Sequence, residues 1–296
     1  MELAGSLCAI ATPFTADNQL DLTAFGRLLE RQLAEGTQGI VVAGSTGEAH
    51  MLDAAEYARL LTYTVEHVAH RVPVIAGSGE AATAKTVAAT RRARELGADA
   101  ALVVAPYYVR PTQEGLRRHF SEVAEHCDIP IVMYNVPSRT GCDMQPETVA
   151  TLRDTAGVVG IKEAVGTPER IAALAQLRRP GFVYLSGDDG TAADAMLAGA
   201  AGVVSVVNNL VPRAFRALCD AARAGDRART AGHMARLQPL LEALGCAPNP
   251  IPVKAGLAEL GLCRAGLRLP LVELPPGPAR TRLGETARPL AGAVAP

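Results

Sequence analysis

The chain has 296 residues, 49% of them apolar and 20% charged, with 29 Lys and Arg almost balanced by 30 Asp and Glu. That length is close to the ~250 residues of one α/β barrel, and the apolar share excludes a largely disordered chain. A net charge of -1 with no basic block excludes a surface built for a nucleic-acid backbone, and no run of about 18 apolar residues offers a membrane span.

The opening MELAGSLCAIATPF has no basic segment ahead of a long apolar one, so no leader is expected and the protein reads as cytoplasmic. Eight β-rich runs follow at near-regular intervals: SLCAIATPF (6–14), GIVVAGSTGE (39–48), VPVIAGSG (72–79), AALVVAPYY (100–108), IPIVMYNVP (129–137), VVGIKEA (158–164), FVYLSGDD (182–189) and GVVSVVNN (202–209). Their middles are continuously apolar, as expected of parallel strands covered on both faces. Between them, apolar residues recur three and four apart, as in Leu22, Phe25, Leu28, Leu29 and Leu33, which predicts one-sided amphipathic helices. Start signals stand at Asp21, Asp53, Thr112 and Pro146, and stop signals at Gly36, Gly97 and Gly199. Eight such units predict an α/β (β/α)8 TIM barrel over 1–225 in preference to an open doubly wound sheet.

From 226 onward the pattern is helical alone, over 226–245, 251–261 and a looser segment from about 279, which predicts a C-terminal helical domain over 226–296. LPPGPAR (274–280) reads as a turn, and the closing AGAVAP as frayed. Six scattered cysteines without a C-x-x-C pair read as free buried thiols.

In a barrel of this kind chemistry gathers at the C-terminal ends of the strands. Here those ends carry Ser45 and Thr46, Tyr107 and Tyr108, Tyr134 with Arg139 beyond it, Lys162-Glu163, Asp188-Asp189, and Asn208-Asn209. Lys162 is the sharpest signal, because the chain has only three lysines and this one ends an apolar strand where desolvation lowers an amine's pKa. Such an amine can attack a carbonyl carbon and form a Schiff base. The bland alternative is an ion pair with Glu163, but successive strand residues face opposite ways, so both cannot enter the barrel.

Tyr134 is the candidate general acid/base on the neighbouring strand end, with Thr46 and Tyr108 completing a hydroxyl chain; packing with a polar handle is the competing reading for the tyrosines. The G-S-T-G turn could hold a small carboxylate, or be an ordinary turn, and Arg139 could hold a second carboxylate, or be a surface arginine. Asp188 and Asp189 would repel a phosphate. No His/Asp ligand cluster and no glycine fingerprint after the first strand is present, so neither metal nor dinucleotide is expected and the enzyme reads as cofactor-free.

GSTGE, APYY with RPTQEG, YNVPSRTG, GIKEA, LSGDD and PNPIPVK, in this order, span about residues 5 to 270. On these motifs the chain resembles the dihydrodipicolinate synthase family, within the pyruvate-dependent class I aldolases that also include N-acetylneuraminate lyase. The resemblance implies condensation of pyruvate with L-aspartate 4-semialdehyde to 4-hydroxy-tetrahydrodipicolinate, in lysine and diaminopimelate biosynthesis. The alternative it leaves is a sibling lyase acting on a sialic or 2-keto-3-deoxy sugar acid. It also implies Lys162 as the Schiff-base lysine, Tyr134 and Thr46 as the proton relay, and Tyr108 as a tyrosine donated across a tight dimer. Ser45, Thr46, Arg139, Gly187 and Val204 fall at the substrates, in a homotetramer of tight dimers. Finally, Tyr57, Ala81 and Lys85 stand where lysine-inhibited relatives carry a histidine, an asparagine and a glutamate, which implies weak or absent feedback by L-lysine.

Overall fold

In the computed structural model, which describes residues 2–292, the eight predicted runs become β1 (Gly5–Ala9), β2 (Gly39–Val42), β3 (Val74–Gly77), β4 (Ala100–Val104), β5 (Ile131–Asn135), β6 (Val158–Glu163), β7 (Val183–Ser186) and β8 (Gly202–Ser205). Each pairs in parallel with the next, and β8 pairs back onto β1 to close the barrel. Side chains alternate across the wall, as the strand period of two requires. Leu7, Val41, Ile75, Leu102, Val132 and Leu185 fill the interior, while Cys8, Ile40, Ala76, Val103, Met133 and Ile161 face the helical layer.

That layer consists of α1 (Leu22–Ala34), α2 (Ala54–Val68), α3 (Thr83–Glu95), α4 (Gln113–His126), α5 (Pro137–Thr140), α6 (Pro146–Leu152), α7 (Pro168–Ala175), α8 (Ala192–Leu197) and α9 (Pro212–Arg223). The expected caps form. Asp21 accepts from the Ala24 N–H, Thr112 from the Gly115 N–H, and Asp53 closes a reciprocal box with Glu56. Pro146 opens α6 without a side-chain cap from Gln145 before it. Gly36, Gly97 and Gly199 follow their helices at φ of 87°, 91° and 116°, a region costly for any residue with a Cβ.

Beyond the barrel come α10 (Arg227–Leu244), α11 (Ile251–Glu259) and α12 (Pro278–Ala291). Leu237, Leu240, Val253, Leu257 and Ala287 join the same apolar cluster as the outer face of the barrel, so burial fastens these helices to it. Of the closing AGAVAP, Ala291 is buried at the end of α12, and residues 293–296 lie outside the described residues. All six cysteines are free. Cys8, Cys127 and Cys219 are buried, whereas Cys142 and Cys263 are half-buried and Cys246 is exposed. Among the described residues, no helix is long and apolar enough to cross a membrane.

The strands are shorter than the apolar runs that contain them. The last run leaves the ladder at Ser205 and turns at Val207–Asn209, so Asn208 and Asn209 do not present polar groups at a strand end as their position in the sequence predicted. Both are buried. Asn209 donates to the Ala9 carbonyl and accepts from the Ala11 N–H, and Asn208 donates to Ser6 Oγ; together they tie β1 to the end of β8.

Candidate active site

A cavity of about 700 Å³ opens at the C-terminal end of the barrel, with Lys162 and Tyr134 in its wall. The two residues are register partners on β6 and β5, and the Lys162 ammonium lies 4.1 Å from the centre of the Tyr134 ring. Gly187 gives the lysine its space: a Cβ there would stand 3.0 Å from Lys162 Cε and 3.1 Å from the Glu163 backbone. No carboxylate pairs with Lys162 among the described residues. Glu163 points to the other face of β6, where Asn135 and Arg170 hold it and Arg170 also reaches Asp143. That outer network fixes the strand residues next to Tyr134 and Lys162 without entering the cavity.

Burial sets the electrostatics of the pair. It pushes the Lys162 pKa down to about 8, against the pull of Asp189 and with help from the Arg139 charge. Burial likewise pushes the Tyr134 phenol up to about 12, although Arg139 acts in the opposite sense. At neutral pH the amine therefore has an accessible neutral form, while the phenol keeps its proton.

Across the cavity, the turn after β2 is bracketed by Ala43 at φ 50° and Glu48 at φ 54°, left-handed conformations that a Cβ makes costly. It is braced by Thr12 Oγ1 donating to the Gly47 carbonyl, and by Glu48 itself, which accepts from the buried Lys254 ammonium at 2.5 Å. Within the turn, the backbone N–H groups of Ser45 and Thr46 have no acceptor among the described residues. Two N–H groups without an acceptor beside two hydroxyls are donors of the kind that suits a small carboxylate.

Arg139 sits on α5, exposed at the rim of the cavity, and donates to the Asn249 carbonyl at 2.8 Å. Of the remaining expected residues, Val204 lies in the apolar interior of the barrel, and Val206 lines the cavity at that side. Tyr108 is not brought to the cavity within one chain: it is 90% exposed, with φ 72°, and Val109 beside it is also exposed. Asn249 was missed by sequence reasoning. It comes from the segment before α11 and places its amide 3.0 Å from Thr46 Oγ1. Its only sequence signal was a place in PNPIPVK, which carries no chemistry by spacing.

The model described as the dihydrodipicolinate synthetase family matches residues 2–281. A 4-hydroxy-tetrahydrodipicolinate synthase of Xanthomonas axonopodis pv. citri (strain 306) is 56% identical over 289 residues, 97% of this chain and 95% of that protein. One from Methylococcus capsulatus (strain ATCC 33009 / NCIMB 11132 / Bath) is 49% identical over 270 residues, 91% of this chain and 93% of that protein. Among solved structures, the chloride-inhibited dihydrodipicolinate synthase from Acinetobacter baumannii, complexed with pyruvate, superposes with a TM-score of 0.95 at 38% identity, covering 99% of this chain and 100% of that one. With a closed eight-stranded barrel, an unpaired lysine against a tyrosine at its mouth, and relatives matched over nearly their whole length, the chain belongs to the dihydrodipicolinate synthetase family.

Proposed function

We infer that this chain is a 4-hydroxy-tetrahydrodipicolinate synthase, condensing pyruvate with L-aspartate 4-semialdehyde through a Schiff base on Lys162. The observation that carries the reading is a buried lysine without a counterion among the described residues, facing a cavity and resting on the ring of a protonated tyrosine. Pyruvate's carboxylate sits on the Ser45 and Thr46 N–H groups. The neutral Lys162 amine attacks the C2 carbonyl carbon, the Tyr134 phenol gives a proton to the departing oxygen, and water leaves as the imine forms. The cationic imine then accepts the electron pair freed when a methyl proton is lost. The resulting enamine attacks the aldehyde carbon, and the semialdehyde's own amine displaces Lys162 as the ring closes.

Ser45 offers its hydroxyl for the relay between Tyr134 and solvent, and Thr46 keeps its proton for the substrate's carboxylate. Thr46 Oγ1 already accepts from Asn249, and Ser45 Oγ has no protein partner among the described residues. Arg139 receives the semialdehyde's carboxylate at the rim, where a fork of donors suits a planar anion. Tyr108 acts from a second copy of the chain, in a tight dimer that pairs into a homotetramer, and the enzyme works in the cytoplasm. The sibling sugar-acid lyase is set aside, since the relatives reported above carry the synthase name.

Borohydride reduction in the presence of pyruvate tests the first half. A stable adduct mapped to Lys162 is expected, and its absence, or its location on Lys85 or Lys254, overturns the reading. Turnover with pyruvate and the semialdehyde in a coupled assay, set against turnover of a sialic acid, tests the second half.

A further inference from the structure

We propose that Asn249 is a positioning residue for the condensation: its side-chain amide fixes the Thr46 hydroxyl as a donor into the cavity, toward the pyruvate carboxylate. A hydroxyl has one proton to give and two lone pairs to receive with. Asn249 Nδ2 donates to Thr46 Oγ1 at 3.0 Å, which occupies one lone pair. Thr46 Oγ1 donates to no protein group among the described residues, so its proton remains for what the cavity holds. That proton stands beside the free N–H groups of Ser45 and Thr46 and adds a third donor to the same anion.

The tie is held from both ends. Asn249 lies between Pro248 and Pro250, whose rings restrict the backbone on each side. Five residues on, Lys254 is fully buried and bonded to Glu48 Oε1 and the Thr12 carbonyl, and Glu48 stands two residues past Thr46. The same C-terminal segment therefore grips the β2 turn at two points. Arg139 is steadied by the Asn249 carbonyl, a backbone group that survives a change of side chain. This separates the two substrates: loss of the amide should weaken the pyruvate site and leave the semialdehyde site nearly untouched.

The inference rests on the Schiff-base reading, and three variants test it in the full-length enzyme. Asn249→Ala should raise KM for pyruvate about five- to tenfold, the scale of one lost hydrogen bond to a buried acceptor, while KM for the semialdehyde stays within about twofold. Asn249→Asp should raise the pyruvate KM further, because an ionised carboxylate only accepts and draws the Thr46 proton away from the substrate. In the Thr46→Val background, Asn249→Ala should add nothing, since the hydroxyl through which it acts is gone. A pyruvate KM unchanged within twofold overturns the proposal, as do additive effects in the double variant. So does a parallel rise in both KM values with a lowered melting temperature, the signature of a merely structural residue. If the wild-type enzyme gives no borohydride-trapped adduct, the functional reading falls and this inference with it; if trapping is intact and Asn249→Ala behaves as wild type, only the inference falls.

Discussion

Lys162 should form its imine with a pH profile unlike that of an ordinary lysine. With a pKa of about 8, roughly 10% of the amine is neutral at pH 7 and roughly 90% at pH 9. The initial rate of pyruvate trapping should therefore rise about tenfold across that interval and flatten above it. At the unperturbed value of 10.5, the neutral fraction would rise about a hundredfold over the same two units with no plateau. Tyr134, pushed up to about 12, keeps its proton throughout. Two substitutions give the sign. Arg139→Ala removes a cation that holds the lysine pKa down, so its midpoint should move to higher pH. Asp189→Asn removes an anion that holds it up, while keeping an oxygen to accept from the Val206 and Val207 N–H groups, so its midpoint should move lower. Quenching with borohydride at timed intervals and reading intact mass gives the rate directly. A hundredfold rise without a plateau, or both variants shifting the same way, would show that burial and these two charges do not set the reactivity of Lys162.

Three further outcomes are expected. Arg139→Ala should raise KM for the semialdehyde by about ten- to a hundredfold, the scale of a lost hydrogen bond to a charged group, while pyruvate is still trapped, as steady-state kinetics with each substrate varied will show. Tyr108→Phe and Lys162→Ala subunits, each impaired alone, should regain activity when mixed, because each mixed dimer assembles one intact site; no recovery in dimers verified by native mass spectrometry would refute a shared Tyr108. L-Lysine should inhibit weakly or not at all in a steady-state titration, since Lys85 is an exposed cation, Ala81 has no side-chain amide, and the Tyr57 hydroxyl is committed to the Gly77 carbonyl.

The barrel was legible because burial on both faces leaves continuous apolar strands, and because its helices begin at residues such as Asp21 and Asp53 that make the capping bonds their chemistry permits. Lys162 was legible for a related reason: an amine at the end of such a strand has little choice but to face the barrel or stand in the outer apolar layer. Asn208 and Asn209 misled because the ladder of β8 ends three residues before Asn208, and the turn that follows aims both amides at β1, Asn208 at the Ser6 hydroxyl and Asn209 at the Ala9 carbonyl. Asn249 was invisible for the opposite reason. Its contact with Thr46 spans 203 residues, and no local periodicity reports which loop of a helical appendix will reach across a barrel mouth. Tyr108 was legible only through the family motif, since in one chain its side chain stands in solvent and makes no contact with the cavity.

Lys162 and Lys254 show how far environment, more than residue type, decides what a buried amine does. Lys254 is fully buried, with Glu48 Oε1 at 2.5 Å, the Thr12 carbonyl at 2.8 Å and the Phe14 ring centre at 4.3 Å, so every direction in which it could react is already filled. Lys162 is 7% exposed, lacks an anionic partner among the described residues and has the cavity before it. Removing each should therefore have opposite consequences. Lys254→Met strands Glu48 as a buried charge and should cost about 3–5 kcal/mol of stability, most of it recovered when Glu48→Gln is added. Lys162→Ala strands no partner; it should unfold within about 1 kcal/mol of the wild type while losing pyruvate trapping and several orders of magnitude in turnover. Urea unfolding of the four proteins, followed by circular dichroism, separates the two roles. Equal destabilisation by Lys162→Ala and Lys254→Met would mean that Lys162 is held by an interaction like the one at Glu48, and that its reactivity does not come from standing unpaired.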